Sequence, residues 1–146
     1  DQIEQVVFDT DVTGYGYGFG TAGPHAVTSA TVEGTGYTLS YDLNGAMTAI
    51  DIAGTADDKY LAYNAFNQPT TIVVGSSLSD PSPVAKDEFA YGPNGERIAR
   101  KSTWQDGAST YTEEVADVGA VEVIIDNSTG VTQMITKTTL SANVMP

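Results

Sequence analysis

The sequence predicts an all-β fold of stacked antiparallel β-hairpins that form a twisted sheet. One observation is the alternation of outward and inward positions, as in Tyr37, Leu39 and Tyr41, which is the period of a half-buried strand. A second is the pair of turns at Asn44-Gly45 and Asn94-Gly95, because both residue types tolerate the positive φ that reverses a chain cheaply. No stretch shows sustained helical periodicity.

Three short stretches repeat one pattern of an aromatic-led strand, an anchoring Tyr, a tight Asx or Gly turn and a return strand. The return strand reaches an Ile nine residues after Tyr41 and after Tyr63, and seven residues after Tyr91. A worn fourth copy starts at residues 121–130 and closes at Ile135. Such self-similarity predicts an array that buries its core by stacking neighbouring units. The residues that define the motif are Tyr41, Asp42, Asn44, Gly45, Tyr63, Asn64, Asn67, Tyr91, Gly92, Asn94 and Gly95.

The predicted organisation is one all-β repeat region spanning residues 1–146. An entry segment, 1–36, contains a strand at Val6-Val7-Phe8 and an aromatic–glycine strand at residues 14–20. The polar, proline-containing stretch 76–87 is predicted to be an inserted loop and the likeliest site of disorder. The ends at Asp1 and Pro146 favour a piece of a longer protein. The hairpin units are predicted at about 37–52, 60–74 and 88–101, with a weaker one at about 111–140.

The repeats resemble the YD repeats of Rhs proteins, the bacterial polymorphic toxins related to toxin-complex C components and teneurins. The phrase at residues 22–29, Ala-Gly-Pro-His-Ala-Val-Thr-Ser, is similar to one in the late Rhs core that precedes a Tyr-Asp unit. Tyr41-Asp42-Leu-Asn44-Gly45 resembles that unit, and residues 63–70 and 89–97 resemble the units after it. The resemblance covers residues 22–101 and implies a strip of a spiral YD-repeat shell.

Charge and composition exclude several classes of function. Six basic residues against 19 acidic ones give a net charge of −13, which repels phosphate backbones and argues against nucleic-acid binding. No apolar run is long enough for a membrane span, and no cysteine is present for a disulfide or thiolate metal site. Three basic residues, Arg97, Arg100 and Lys101, are expected to pair with neighbouring acids on adjacent strands.

No catalytic, cofactor-binding or metal-binding residues are predicted. His25 is the single histidine, no Gly-x-Ser-x-Gly elbow accompanies it, and we expect it in a turn. The acid pairs Asp57-Asp58 and Glu113-Glu114 should not converge on a substrate, since adjacent strand residues point to opposite faces. We expect them to be solvated loop and edge charges. An oxygen-only metal site made by acids of neighbouring repeats is an open alternative of low weight. Asp80-Pro81 lacks the glycine of the Rhs aspartyl self-cleavage phrase, so that protease is not carried over.

Two functions follow from the resemblance. The first is a non-catalytic segment of a shell that encloses a toxin in a secreted or surface-exposed bacterial protein, used in bacterial competition. Its partners would be the remainder of the parent shell and the C-terminal toxin segment, and unpaired strand edges would favour edge-to-edge self-association. The alternative is a carbohydrate-binding or adhesive module in which exposed tyrosines stack on sugar rings.

Overall fold

The computed structural model describes residues 5–8, 11–18, 22–118, 121–127 and 131–138. These residues form antiparallel β-strands joined by turns, which confirms the predicted all-β class and its stacked hairpins. No helix in this described part is long and apolar enough to cross a membrane. The strands are β1 (Gln5–Phe8), β2 (Asp11–Tyr17), β3 (Val27–Val32), β4 (Thr35–Tyr41), β5 (Met47–Ile52), β6 (Lys59–Tyr63), β7 (Pro69–Val74), β8 (Ala85–Tyr91), β9 (Arg97–Asp106), β10 (Ser109–Val118), β11 (Val121–Asp126) and β12 (Gln133–Thr138).

The chain divides into two compact units, Asp1–Val84 and Ala85–Pro146. In the first unit, β1 to β7 form a meander in which each strand pairs antiparallel with the next. The predicted strand at Val6-Val7-Phe8 is confirmed as part of β1, and the aromatic–glycine strand is confirmed as β2 as far as Tyr17. Residues 19 and 20, the end of that prediction, lie outside the described residues.

The second unit is a meander of β8 to β12, in which β9 and β10 are the longest strands at 10 residues each. Its first hairpin runs from Ala85 to Asp106 and is longer than the predicted 88–101. The weak fourth copy corresponds to β11 and β12, which pair Ile125 with Met134. Its turn, residues 128–130, lies outside the described residues.

Alternation along β4 and β5 matches the sequence pattern. Leu39 lies across from Ile50, and Tyr37 lies across from Ile52, so their side chains share one face of the sheet. Leu61 and Ile72 repeat the first pairing in β6 and β7. In the second unit, the corresponding pair is Phe89 with Arg100.

The predicted closing residue of the third repeat is therefore wrong. Ile98 lies six residues after Gly92, the same step that separates Thr48 from Asp42, and its side chain is exposed. The nine-residue step from Tyr91 leads to Arg100, which lies across from Phe89 at the strand position that isoleucine has in the other repeats. The sequence pattern favours the nearest isoleucine, because an arginine at a half-buried strand position does not match the apolar residue of the other repeats.

Other reversals use two-residue turns. Glu33 and Gly34 both have positive φ, 50° and 77°, between the paired residues Val32 and Thr35, which is the arrangement of a type I′ hairpin. Gly107, with φ of 59°, opens the turn between β9 and β10.

Few described side chains are fully buried. Val73, 1% exposed, and Ala46 are the buried apolar residues of the described part, and the other apolar strand residues there are half-buried or exposed. Each unit is therefore held chiefly by its ladder hydrogen bonds and by cross-strand contacts between half-buried side chains.

The predicted inserted loop is shorter than expected and has a defined conformation. Residues 85–87 belong to β8, so the loop covers residues 75–84. Its two ends are fixed by bonds from Gly75 N to Asp58 O and from Val84 N to Val74 O, both 2.9 Å. The expectation of disorder in this loop is wrong. The polar side chains that suggested disorder form the hydrogen bonds that hold the loop in place.

Candidate functional site

The anchoring tyrosines Tyr41 and Tyr63 connect the β4–β5 and β6–β7 hairpins of the first unit to the strand before each of them. The Tyr41 hydroxyl, at the end of β4, donates a hydrogen bond of 2.7 Å to the carbonyl oxygen of Val27, at the start of β3. The Tyr63 hydroxyl, at the end of β6, donates one of 2.8 Å to the carbonyl oxygen of Met47, at the start of β5. We call each of these bonds a hydroxyl link.

The two hydroxyl links occupy the same place in the two ladders. Tyr41 lies three residues after Thr38, and Val27 lies two before Ser29, where the β3–β4 pairing ends. The second link repeats both offsets, with Tyr63 three residues after Tyr60 and Met47 two before Ala49. Because β5 and β6 share only two residue pairs, the second link extends a short pairing between successive hairpins.

Partial burial, and beyond it the negative charge of Asp42, raises the pKa of the Tyr63 hydroxyl above its usual range. Both causes disfavour the tyrosinate, which could not donate a hydrogen bond to the carbonyl. The hydroxyl therefore stays protonated and remains a donor across physiological pH.

The turns that follow the tyrosines share one hydrogen-bond scheme over five residues, 42–46, 64–68 and 92–96. We call each of these segments a repeat turn. The first residue donates its N–H to the carbonyl of the fifth and accepts a bond from the N–H of the fourth, at 2.8–3.1 Å throughout. The fourth residue has positive φ in each case, 82° at Gly45, 61° at Asn67 and 83° at Gly95. The expected positive φ at Asn44-Gly45 and Asn94-Gly95 is therefore confirmed.

In the first two repeat turns, the side chain of the first residue holds the turn. Asp42 Oδ1 accepts from the N–H groups of Asn44 and Ala46, each at 2.9 Å. Asn64 Oδ1 accepts from Phe66 and Gln68 in the same way, at 2.9 and 3.1 Å. These are the Asx bonds that the sequence predicted for the two residues.

The third repeat turn has Gly92 at this position and uses another carboxylate. Glu96, the fifth residue, turns back, and its Oε2 accepts from Asn94 N at 3.1 Å. A Cβ atom at Gly92 would lie 2.4 Å from Glu96 Oε1, so the glutamate occupies the space that an Asp or Asn side chain would need. The N–H of the third turn residue thus bonds to Glu96 here, and to the side chain of the first residue in the other two repeat turns.

The predicted motif residues therefore lie at three repeat turns and the strand ends beside them. The rings of Tyr41, Tyr63 and Tyr91 are half-buried, and Asn44, Asn67 and Asn94 are exposed. Within the first unit, the β4–β5 and β6–β7 turns lie at the same end of the sheet, because β5 and β6 are antiparallel neighbours. Sequence reasoning did not predict that the tyrosine hydroxyls bond to the preceding strand, since one repeat does not reveal its neighbour.

The loop 75–84 is organised around Asp80. Its carboxylate accepts from the N–H and the hydroxyl of Ser76, each at 2.7 Å, and from Ser82 N at 2.9 Å. These bonds, above all the one from the Ser76 N–H, lower the pKa of the Asp80 carboxyl below its usual range. Asp80 therefore has a structural role, as the hydrogen-bond acceptor that holds this loop.

The second unit presents an aromatic pair that sequence reasoning missed. Trp104 and Tyr111 lie across from each other on β9 and β10, with ring centroids 6.0 Å apart and planes inclined by 29°. The next row on the same face contains Ser102 and Asp87, which are hydrogen-bonded to each other. Trp104 lies three residues before Gly107 and Tyr111 lies three after Ala108, so a hairpin with a two-residue turn at Gly107-Ala108 was the signal that predicts their pairing.

Arg100 and Lys101 are paired with acids, as expected. Arg100 contacts Glu113, and Lys101 Nζ lies 2.7 Å from Glu114 Oε1. The bond to Glu114 raises the pKa of the Lys101 ammonium. Arg100 and Lys101 are adjacent on β9 and point to opposite faces, and so do the acids that they contact. The prediction that Glu113 and Glu114 point to opposite faces is therefore confirmed. Arg97 lies over the Phe89 ring at 5.7 Å, in a cation–π contact.

The face of the second unit opposite the aromatic pair has a shallow apolar groove of about 320 Å³. Its floor is a cross-strand row of small side chains, Ala90, Ala99 and Ala116, followed by Val123. The charged row that contains the Lys101–Glu114 pair borders this floor.

The candidate polar groups of the first unit do not converge. His25 is exposed in the turn closed by Ala26 N and Gly23 O, consistent with the predicted turn position. Asp58 Oδ1 accepts from Ile52 N at 2.8 Å, whereas Asp57 is exposed. Across the described ranges, no three His, Cys, Asp or Glu side chains are grouped closely enough to hold a metal ion.

No protein-family model matches the chain, and no curated protein matches it.

Proposed function

We propose that this chain is a non-catalytic structural segment of an Rhs-type YD-repeat shell, which encloses a toxin passenger in a secreted or surface-exposed bacterial protein. The proposal rests on the resemblance of residues 22–101 to YD units and on the geometry of the repeats. Its partners are the rest of the parent shell and the C-terminal toxin segment.

The observation that carries the proposal is the repetition of the hydroxyl link. A link from Tyr41 to Val27, repeated with equal offsets from Tyr63 to Met47, joins each hairpin to the one before it. Such a unit adds to a growing sheet by the same contacts each time, which is how repeat arrays build extended walls. The same contact accounts for the tyrosine that precedes each of these two repeat turns, Tyr41 and Tyr63.

The modest burial of the sheet faces supports the same function. A self-sufficient domain of 146 residues has enough chain to bury a sizeable core. The described strand residues are mostly half-buried instead, including Leu39, Leu61 and Ile72. Half-buried apolar faces suit a wall whose inner side contacts an enclosed passenger.

The test is the parent gene and its full-length product. The coding sequence on both sides of this chain should contain further YD units and a downstream toxin domain. Limited proteolysis of the full-length protein should then leave the toxin segment intact under conditions that degrade the same segment expressed alone. Equal cleavage in the two contexts, or a gene that encodes no further repeats, would contradict the proposal.

A second candidate function is carbohydrate binding, favoured by the Trp104–Tyr111 pair. Sugar rings stack on aromatic faces while their hydroxyls bond to acids and hydroxyl groups. Asp87 and Ser102 provide such groups in the row next to the aromatic pair. The repeat tyrosines expected to stack on sugars suit this function less well, because Tyr41 and Tyr63 bond to the backbone.

The single tryptophan makes this candidate easy to test, since fluorescence reports on Trp104 alone. A panel of bacterial surface oligosaccharides should include one that changes this fluorescence saturably. Tyr111→Ala should abolish the change and retain the reporter, whereas Tyr60→Phe in the first unit should have no effect. A panel without any saturable response would leave carbohydrate binding without support.

A further inference from the structure

The repeat turns of the first unit expose two large apolar side chains at one end of the sheet. Leu43, in the turn 42–46, is 90% exposed, and Phe66, in the turn 64–68, is 84% exposed. We call this end, formed by residues 22–26, 42–46 and 64–68, the turn end. Because the two turns are separated by two inter-strand steps, their tips lie about 10 Å apart.

The turn end is nearly free of charge although the chain carries −13. Its one acidic residue, Asp42, has its carboxylate turned to the N–H groups of Asn44 and Ala46. The opposite end of the same unit carries the acids instead, in the β3–β4 turn, the β5–β6 connection and the loop 75–84. These acids are Glu33, Asp57, Asp58 and Asp80.

The first unit is therefore amphipathic along its strands. Strands of five to seven residues separate the two ends by roughly 16–23 Å. That distance is about two or more Debye lengths at physiological ionic strength, so salt screens most of the repulsion that the acids exert at the turn end, and this repulsion grows as the salt concentration falls. The turns are held by their own hydrogen bonds and present Leu43 and Phe66 on fixed backbones.

We propose that the turn end docks on a lipid surface of zwitterionic headgroups and inserts Leu43 and Phe66 into its interfacial region. Two separate protruding side chains suit a fluid interface, which closes around each of them without a preformed pocket. Interfacial binding scales with the apolar area inserted, and a large side chain at each of two tips supplies it. A neutral headgroup is specified because the chain's net charge opposes approach to an anionic membrane. This inference is independent of the proposed shell function.

The experiment is flotation of the purified chain with phosphatidylcholine vesicles. The variant Leu43→Ala/Phe66→Asn removes both side chains and preserves the turns, since the corresponding positions hold Ala65 in the second turn and Asn44 in the first. The matched control is Leu78→Asn, which removes a 43% exposed leucine from the loop at the opposite end. Circular dichroism and urea midpoints establish that all three proteins are equally folded.

The wild-type chain and Leu78→Asn should float with the vesicles, and the double variant should bind at least about tenfold more weakly. Adding phosphatidylserine should weaken binding, and more so at low salt. Absence of wild-type flotation, or equal flotation of the double variant, would overturn the proposal. Dimerisation that depends on Leu43 and Phe66, without vesicle binding, would assign the turn end to a second copy and overturn it equally.

Discussion

The Tyr41 hydroxyl lies 2.7 Å from the carbonyl oxygen of Val27 and continues the β3–β4 pairing beyond its last paired residues. The tyrosine thus serves two parts of the fold. Its half-buried side chain lies at the strand end that leads into the turn 42–46, and its hydroxyl donates to a carbonyl of the preceding strand. Tyr63 makes the same connection to Met47.

Removing either hydroxyl should destabilise the first unit. Tyr41→Phe and Tyr63→Phe should each lower the free energy of unfolding by about 0.5–1.5 kcal/mol, because a part-buried carbonyl loses its donor. Urea denaturation at pH 7 measures the change. The control is Tyr37→Phe, on the same face. The Tyr37 hydroxyl has no hydrogen-bond partner among the described residues, so its removal should change stability by less than about 0.5 kcal/mol. Equal effects in all three variants would show that the hydroxyl links do not contribute.

The third repeat turn allows one acceptor to be exchanged for the other. Glu96→Ala should destabilise by about 0.5–1 kcal/mol, since Asn94 N loses its carboxylate. Adding Gly92→Asp recreates the Asp-x-Asn-Gly-Ala pattern of residues 42–46 and should recover most of the loss. Gly92→Asp alone should destabilise the wild type, because its Cβ meets the Glu96 side chain. A double variant no more stable than Glu96→Ala would mean that the two turns are not interchangeable.

The fourth residue of each repeat turn has positive φ, so this position should tolerate Asn better than Val. Gly45→Val should cost about 1–2 kcal/mol, because a β-branched residue is strained at a φ of 82°. Gly45→Asn should cost much less, since Asn67 occupies the equivalent position at 61°. Thermal or urea denaturation compares the two. Similar stability of the two variants would contradict the requirement for positive φ.

Thr28 offers a route to greater stability. Its side chain is 6% exposed, and within the described part of the chain its Oγ1 has no hydrogen-bond partner. Thr28→Val should be neutral or stabilise by up to about 1 kcal/mol, because it removes a buried hydroxyl that nothing satisfies. The exposed Thr38→Val is the control and should change little. Marked destabilisation by Thr28→Val would reveal a partner for the hydroxyl.

The loop 75–84 should weaken in acid. The Asp80 carboxyl has a lowered pKa in the folded chain, so the folded state binds its proton less readily than the unfolded state does. The resulting stabilisation is present above the unfolded value, near 3.9, and is lost as pH falls through the folded value. The urea midpoint of the wild type should therefore fall more steeply below about pH 4 than that of Asp80→Asn. Parallel curves would show that the carboxylate does not stabilise the loop.

Local chemistry in the sequence determined the strands and the turns. The alternation at Tyr37, Leu39 and Tyr41 predicted β4 and its inward face, and Asn44-Gly45 predicted the reversal with positive φ. Both are properties of a few adjacent residues, because strand alternation and left-handed φ depend on backbone sterics alone. The ion pairs of Arg100 and Lys101 could also be predicted from the sequence, since acidic residues are present on the neighbouring strand.

The contacts between segments that are distant in the sequence were decided only by the tertiary structure. The hydroxyl links span 14 and 16 residues, and no local pattern states which carbonyl a tyrosine will reach. In the third repeat turn, Glu96 accepts the bond that an Asp or Asn side chain accepts in the other two, because a flexible carboxylate can serve as the same acceptor. Arg100 occupies the strand position of an isoleucine, which the apolar stem of arginine allows. The sequence by itself determined which segments extend and where they reverse, since those choices are local. Register, cross-strand partners and the exposure of Leu43 and Phe66 depend on distant segments, so only the folded chain decided them.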